Sequence, residues 1–545
     1  MKHGNNPVNL ERPGKINLRE ITLPHALSQT AREHPEHTAL VFFGNRISFR
    51  HLDEMASSMA SALLDLGVKK GDKVALLMPN MPQMVIATYA AWRMGAVIVM
   101  NNPLYTDTEL EHQLSNSDAT VLVTLDLLYE RMMALKGKTR IRTVIVAHLR
   151  DHLSPLMKTA FPILARKMHR KVKKQAGVHE WSELLKKYPP AKIDCSLTLK
   201  DLASLQYTGG TTGVSKGVML THENLSDNAQ QGLACVPNLK SLETVAMGTL
   251  PIFHAFGLFT LNLCVLGVWT LVLVPKPETE IMMKTIQKQK ATLFMGVPTM
   301  FISMLNHPKL KKYDLSSLVM SISGAAPCPV DVIRKFENLT GSMFIEGYGL
   351  SEASPAVCLN PVNGRTKPGS IGLPAPNTEI RIVDLNDPEM EMPQGSEGEL
   401  VIRGPQVSTM GYYKKPEESM MTFRDGWLYT GDIARVDEEG YVFLVDRKKD
   451  MIIAGGYKIF PKEIDELLFS HPQIEEACTK GVSDPYLGEK VKVYVVVKPG
   501  EVLTEEEIVE YCKPRVAPYK VPKSVQFVDA LPRNSVGKVL RRELP

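Results

Sequence analysis

Cysteine is scarce in this sequence: seven residues in 545, at positions 195, 235, 264, 328, 358, 478 and 512, with no CxxC pair among them. That spacing argues against a disulfide scaffold and a thiolate metal cluster, and it suits a reducing compartment. The opening Met-Lys-His lacks the apolar run of a secretory leader, so the expected location is the cytoplasm. Long hydrophobic runs are missing too. The best candidate, 257–274, contains Asn262, Gly267 and two threonines and ends at Pro275, and it reads as a buried helix followed by a buried strand rather than a membrane span. Nor does one sign of charge dominate, since the net charge is only +5. The basicity is local: residues 158–174 carry seven positive side chains and no acid, which leaves the rest of the chain at −2. Phe161, Ile163, Leu164, Met168 and Val172 are interleaved with those charges. Such a segment suits an anionic membrane face, the inner one for a cytoplasmic protein, although Pro162 opposes a helix and a solvated insertion is the plainer reading. No nucleic-acid module accompanies the patch, so no nucleic-acid partner is expected.

What is present is ordinary globular composition, 44% apolar and 23% charged, in a chain too long for one core. Residues 37–48 read as a strand and turn, 50–66 as an amphipathic helix, and Lys73–Leu77 and Ala96–Met100 as buried strands flanking a helix near 82–94. Strands alternating with helices recur past residue 320, which implies an α/β fold of helix-covered β-sheets. Beyond Gly369 the texture turns β-rich, with Glu379–Val383, Glu399–Ile402 and Gly440–Val445 as strands, the mark of a subdomain. The charged turn Arg447-Lys448-Lys449-Asp450 precedes a helix near Pro461–Ser470 and a strand near Lys490–Val497. These place a domain boundary between a large N-terminal domain, 1–448, and a small α+β C-terminal domain, 449–545.

The most informative stretch is 207–217, Tyr-Thr-Gly-Gly-Thr-Thr-Gly-Val-Ser-Lys-Gly. Glycines let backbone amides approach anionic oxygens, while threonine hydroxyls and Lys216 add donors and a positive charge. It is not a Walker A loop, because Lys216 is followed by Gly217 rather than Ser or Thr. Taken alone such a loop could also be an ordinary turn.

In this order of residues the loop resembles the phosphate-loop signature of the adenylate-forming superfamily, which includes acyl-CoA synthetases, luciferase and peptide-synthetase adenylation domains. Gly209 replaces the common Ser or Thr, a form that resembles bacterial long-chain fatty-acid-CoA ligases. Five motifs stand in the family's order over 20–545. The resemblance implies that Thr208, Gly209, Gly210, Thr211, Thr212, Gly213 and Lys216 hold ATP phosphates. Gly324, Ala325 and Ala326 in Ser323-Gly-Ala-Ala-Pro327, and Tyr348 and Gly349 in Glu346-Gly-Tyr-Gly-Leu-Ser-Glu352, would face adenine. Glu352, with Thr211, would hold Mg²⁺, a hard cation that prefers oxygen. Asp432 in Tyr429-Thr-Gly-Asp432 and Arg447 would contact the ribose, although both also suit ordinary turns. His254, by itself a satisfied core histidine, would line the acyl carboxylate site. Lys449 would be the hinge that makes the C-terminal domain mobile, and Gly455, Gly456 and Tyr457 would meet the pantetheine arm of coenzyme A. Lys538, by itself a solvent-tail lysine, would reach the acyl carboxylate and α-phosphate.

The resemblance thus implies an AMP-forming ligase that takes ATP, Mg²⁺, a long-chain fatty acid and coenzyme A, with a homodimer among its partner states. Its alternatives are a ligase for medium-chain, branched or aryl acids, an acyl-AMP ligase that loads a carrier protein, and a non-catalytic lipid-binding relative at membranes.

Overall fold

The computed structural model describes residues 14–154, 157–159, 161, 169–191, 193, 195–208, 215–454, 457–533 and 539–545. The chain divides into two compact units: residues up to Pro368 with Leu373–Glu379 and Arg403–Leu428, and a second made of Gly369–Gly372, Ile380–Ile402 and Tyr429–Pro545.

Unit one is built on two sheets. The seven-stranded sheet runs Val178–Glu180, Thr143–Ala147, Val121–Leu125, Lys73–Leu77, Val97–Asn101, Leu202–Thr208, Lys216–Thr221 in spatial order. Its pairs are parallel except the last, which is antiparallel. Val97–Asn101 and Val121–Leu125 are buried at every position, as strands covered on both faces must be, and their sequences are apolar but for Asn101 and Thr124. The nine-stranded sheet carries Val245–Gly248, Leu293–Gly296, Met320–Ser323 and Met343–Gly349 as parallel neighbours.

One apolar cluster draws residues from both sheets and from the helices Leu23–Glu33, Phe49–Asp65 and Pro82–Arg93. The last of these is buried from Pro82 through Trp92, because Met, Val, Ile, Ala and aromatic residues leave it no polar face. The 257–274 run resolves into the buried helix Ala255–Leu266 and the strand Thr270–Leu273, as expected from Asn262 and Gly267. Among the described residues no helix is long and apolar enough to cross a membrane.

Unit two contains the antiparallel pairing of Asp432–Val436 with Val442–Arg447 and, further on, a mixed sheet of Tyr457–Ile459, Ile452–Ala454, Gly488–Val497, Ile474–Asp484 and Ser524–Phe527. The helices Pro461–Phe469 and Glu505–Cys512 cover it, the second started by a reciprocal cap between Thr504 and Glu507. These elements match the α+β texture read from the sequence.

Candidate active site

In unit one the phosphate-type loop joins two antiparallel strands, with Thr208 opposite Lys216. Gly209, Gly210, Thr211, Thr212 and Gly213 lie outside the described residues, but both of their anchors are fixed. Ser215 receives His112 Nε2–H on its carbonyl oxygen and Gln113 Nε2–H on its hydroxyl, each at 3.3 Å. Gly217 is pressed against the Tyr207 ring, whose carbons would lie 3.2 Å from an added Cβ.

The segment 411–413 then adds along the outer side of Lys216–Thr221: Met219 N–H donates to Gly411 O at 2.9 Å and Tyr413 N–H to Gly217 O at 2.8 Å. That register carries Tyr412 to the centre of the site. Its hydroxyl donates to Glu352 Oε1 at 2.8 Å, and its ring centroid lies 5.3 Å from Lys216 Nζ. Burial, then the Glu352 charge, raises the Tyr412 pKa, so the phenol remains a donor at neutral pH. Glu352 is held by its main chain as well, since its carbonyl oxygen accepts Ser408 N–H at 2.8 Å. Lys216 and Glu352, assigned independently from two motifs, are therefore joined through one aromatic side chain that the sequence analysis did not select.

The two small-residue loops emerge side by side because Met320–Ser323 and Met343–Gly349 are parallel neighbours, with Ser323 opposite Glu346. Ligands commonly bind at such carboxyl ends of parallel strands. Ala325 and Ala326 are exposed, and Ala325 takes a positive φ of 67°. A Cβ on Gly324 would lie 2.9 Å from Phe256 Cε1, and one on Gly349 only 2.0 Å from Pro355 O, so glycine is sterically required at 349. Tyr348 is half-buried. His254 precedes the first turn of Ala255–Leu266, beside the Phe253 ring at 4.8 Å. Burial pushes its imidazole down to about 4, which keeps it neutral and suits a lining role better than acid–base work.

In unit two, Asp432 stands opposite Arg447 across two strands, with Arg447 Nε 3.2 Å from Asp432 Oδ1. The Asp432 backbone is braced by Thr430, whose hydroxyl oxygen accepts its N–H at 3.1 Å. Lys448 Nζ pairs with the buried carboxylate of Glu399 at 2.9 Å. Lys449 has its pKa lowered, by burial first and by Arg447 next. Arg541 spans Asp446, Asp450 and Asp465 and donates to Thr479 O at 3.1 Å. Tyr457 is exposed and stacks on Tyr519 at 4.4 Å between ring centroids. Gly455, Gly456 and Lys538 lie outside the described residues.

Comparison with known proteins identifies the family. A family model described as AMP-binding enzyme matches residues 27–413, and one described as AMP-binding enzyme C-terminal domain matches 463–538. The chain is 41% identical over 539 residues to a long-chain-fatty-acid–CoA ligase of Bacillus subtilis, covering 98% of this chain and 95% of that protein. Among solved structures, ATP-bound MatB from Rhodopseudomonas palustris superposes with a TM-score of 0.84 at 29% identity, covering 96% and 98% of the two chains. The o-succinylbenzoate coenzyme A synthetase of Bacillus subtilis, in complex with ATP and magnesium ion, superposes with a TM-score of 0.78 at 27% identity, covering 96% and 100%.

Proposed function

We infer the activity from one premise: the chain belongs to the AMP-binding enzyme family. It is an ATP-dependent long-chain fatty-acid–CoA ligase, which forms an acyl-adenylate with release of pyrophosphate and then transfers the acyl group to the thiol of coenzyme A with release of AMP. The observation that carries the site assignment is the Lys216–Tyr412–Glu352 connection, which links the lysine of the first motif to the carboxylate of the second through one ring.

Positioning and charge stabilisation do the chemistry, so no protein nucleophile is required. Lys216, Thr208 and the loop residues Gly209–Gly213 hold the phosphates. Glu352, an oxygen donor suited to a hard cation, holds Mg²⁺ together with Thr211, and the ion supplies neutralisation of phosphate charge. Gly324, Ala325, Ala326, Tyr348 and Gly349 form the adenine wall, where small residues permit backbone contact with the base. Asp432 accepts from ribose hydroxyls and Arg447 orients it, a role supported by their pairing at 3.2 Å. His254 lines the carboxylate site as a neutral ring. Lys538 bridges the acyl carboxylate and α-phosphate during adenylation. Rotation at Lys449, the boundary of the 1–448 and 449–545 domains, then presents Gly455, Gly456 and Tyr457 to the pantetheine arm.

Fatty-acid-dependent exchange of pyrophosphate into ATP tests the adenylation step, and its absence with every acid tried sinks the enzyme reading. A panel from C6 to C20 in a coenzyme A thioester assay fixes the acyl class, for which each buried methylene contributes roughly 0.8 kcal/mol. Product formed only with a phosphopantetheinylated carrier would replace coenzyme A as the acceptor.

Peripheral contact with an anionic membrane is a second part of this reading, supported by exposed Lys158, Arg170, Lys171, Lys173 and Lys174. Phe161 is buried in one apolar cluster and Val172 packs against another, so charge rather than those two apolar side chains supplies the attraction. Replacing Lys171, Lys173 and Lys174 by Gln reduces co-sedimentation with phosphatidylglycerol vesicles and leaves turnover on soluble acid unchanged; unchanged co-sedimentation rejects the contact.

A further inference from the structure

The seven-stranded sheet brings together a second cluster of chemically active side chains. Asp126 follows Val121–Leu125 and His148 follows Thr143–Ala147, two parallel neighbours in which Leu125 stands opposite Ala147. Both side chains therefore leave the carboxyl edge of the sheet at one place. His169 joins them from the chain that precedes Val178–Glu180, with its ring centroid 5.2 Å from that of His148.

Their hydrogen bonding is uneven. His148 Nε2 is 2.8 Å from Glu180 Oε2, a contact that holds a proton on that nitrogen. The other nitrogen, Nδ1, is buried and lies 3.0 Å from Asp126 Oδ2 but outside hydrogen-bond geometry. His169 Nδ1 lies 3.2 Å from the same oxygen. That oxygen already accepts Arg170 N–H at 2.7 Å, and the second oxygen of Asp126 accepts Leu127 N–H at 3.0 Å. Two imidazole nitrogens thus converge on one carboxylate oxygen.

We propose that Asp126, His148 and His169 form a binding site for one divalent cation of the zinc class. The three ligand atoms lie within 4.8 Å of one another, and ligand bonds of about 2.0–2.2 Å around one ion need such a spacing. Two imidazoles with one carboxylate select Zn²⁺ or Co²⁺ over Mg²⁺ and Ca²⁺, which prefer all-oxygen shells. Glu180, accepting from the far nitrogen of His148, is the outer carboxylate that orients a ligating histidine. Asp126 is fully buried, and His148 and His169 are 7% and 21% exposed at their side chains, so three protein ligands hold the ion and a water molecule takes its fourth position. The ion ties His169, and with it the basic stretch through Lys174, to the ends of two core strands. The inference does not depend on the ligase reading, because none of these residues belongs to the nucleotide site.

The test uses the full chain, stripped with chelator and freed of nucleotide, and titrated with Co²⁺ and then Zn²⁺. The expected result is one equivalent of Co²⁺ with the visible d–d absorption of a four-coordinate nitrogen and oxygen site, displaced by Zn²⁺. Binding to a cysteine would instead show a thiolate charge-transfer band and would overturn the proposal. His169→Asn, at a partly exposed position, abolishes the uptake with an unchanged far-UV circular dichroism spectrum. Glu180→Gln weakens it by about 10–100-fold. No stoichiometric uptake, as expected if a doubly protonated His148 merely bridges Asp126 and Glu180, or uptake unaffected by His169→Asn, refutes the site.

Discussion

Replacing Tyr412 by phenylalanine isolates a single hydrogen bond at the centre of the proposed nucleotide site. The ring that faces Lys216 Nζ at 5.3 Å is kept, while the hydroxyl that donates to Glu352 Oε1 at 2.8 Å is lost. A hydrogen bond to a charged acceptor contributes about 1.5–3 kcal/mol, which corresponds to a loss of roughly tenfold to 150-fold if it is expressed in the adenylation transition state. The measurement is kcat/KM for Mg·ATP in fatty-acid-dependent pyrophosphate exchange, repeated across a Mg²⁺ titration. Thioester formation from preformed acyl-adenylate should change by less than about twofold, because it no longer depends on pyrophosphate charge. Tyr412→Ala, which also removes the ring beside Lys216, should lose a further ~0.5–2 kcal/mol. Equal losses in both half-reactions, or a Tyr412→Phe effect below about threefold, would refute the idea that this hydroxyl positions the metal-binding carboxylate.

Three other outcomes follow from the same coordinates. Gly349→Ala places a methyl 2.0 Å from Pro355 O and should lower unfolding stability by about 1–3 kcal/mol, read from denaturant midpoints, with adenylation impaired in the folded fraction. Asp227 is a buried carboxyl whose pKa is raised from 3.8 to about 7, by burial first and by Glu223 second. The native state then holds a proton that the unfolded chain releases between those values, so stability falls as pH rises from about 4 to 7 and is level above. Asp227→Asn should therefore match the parent in urea unfolding at pH 3.5 and exceed it at pH 8 by at most about 4 kcal/mol; a parent that is relatively more stable at pH 8 contradicts the sign. Lys538→Ala should slow adenylation by about 10²-fold or more and spare thioester formation from preformed acyl-adenylate, and equal losses in both steps would remove Lys538 from its assigned role.

Much of the fold could be read locally because its signals are local. Lys73–Leu77 and the run ending at Met100 are short apolar stretches, the first preceded by Gly71-Asp72 and the second by Gly95, and they are strands in the structure. The helix expected near 82–94 is Pro82–Arg93, opened by a proline that suits a first turn. The motif residues were legible for a different reason: close backbone approach demands particular small residues in order, as the contacts around Gly324 and Gly349 illustrate. Tyr412 escaped notice because its role depends on a register between 411–413 and Lys216–Thr221, some two hundred residues apart in the chain. The only local hint was Gly411, whose φ of 75° turns the chain just before the aromatic pair. Asp126 and His148 escaped for the same reason, since only the pairing of Leu125 with Ala147 makes them neighbours.

Arg541 imposes a condition on the rotation assigned to Lys449. It reaches back across that position to Asp446, 3.8 Å away, while also holding Asp450 and Asp465 on the far side. Asp446 is gripped a second time from the far side, by Lys462 N–H at 2.7 Å. A turn of the backbone at Lys449 leaves the pairs with Asp450 and Asp465 intact but uncouples Asp446, exposing a carboxylate whose burial has raised its pKa. Under the rotation proposed for Lys449 the guanidinium would work as a clutch, letting go of Asp446 while keeping Asp450 and Asp465, and taking Asp446 up again on return.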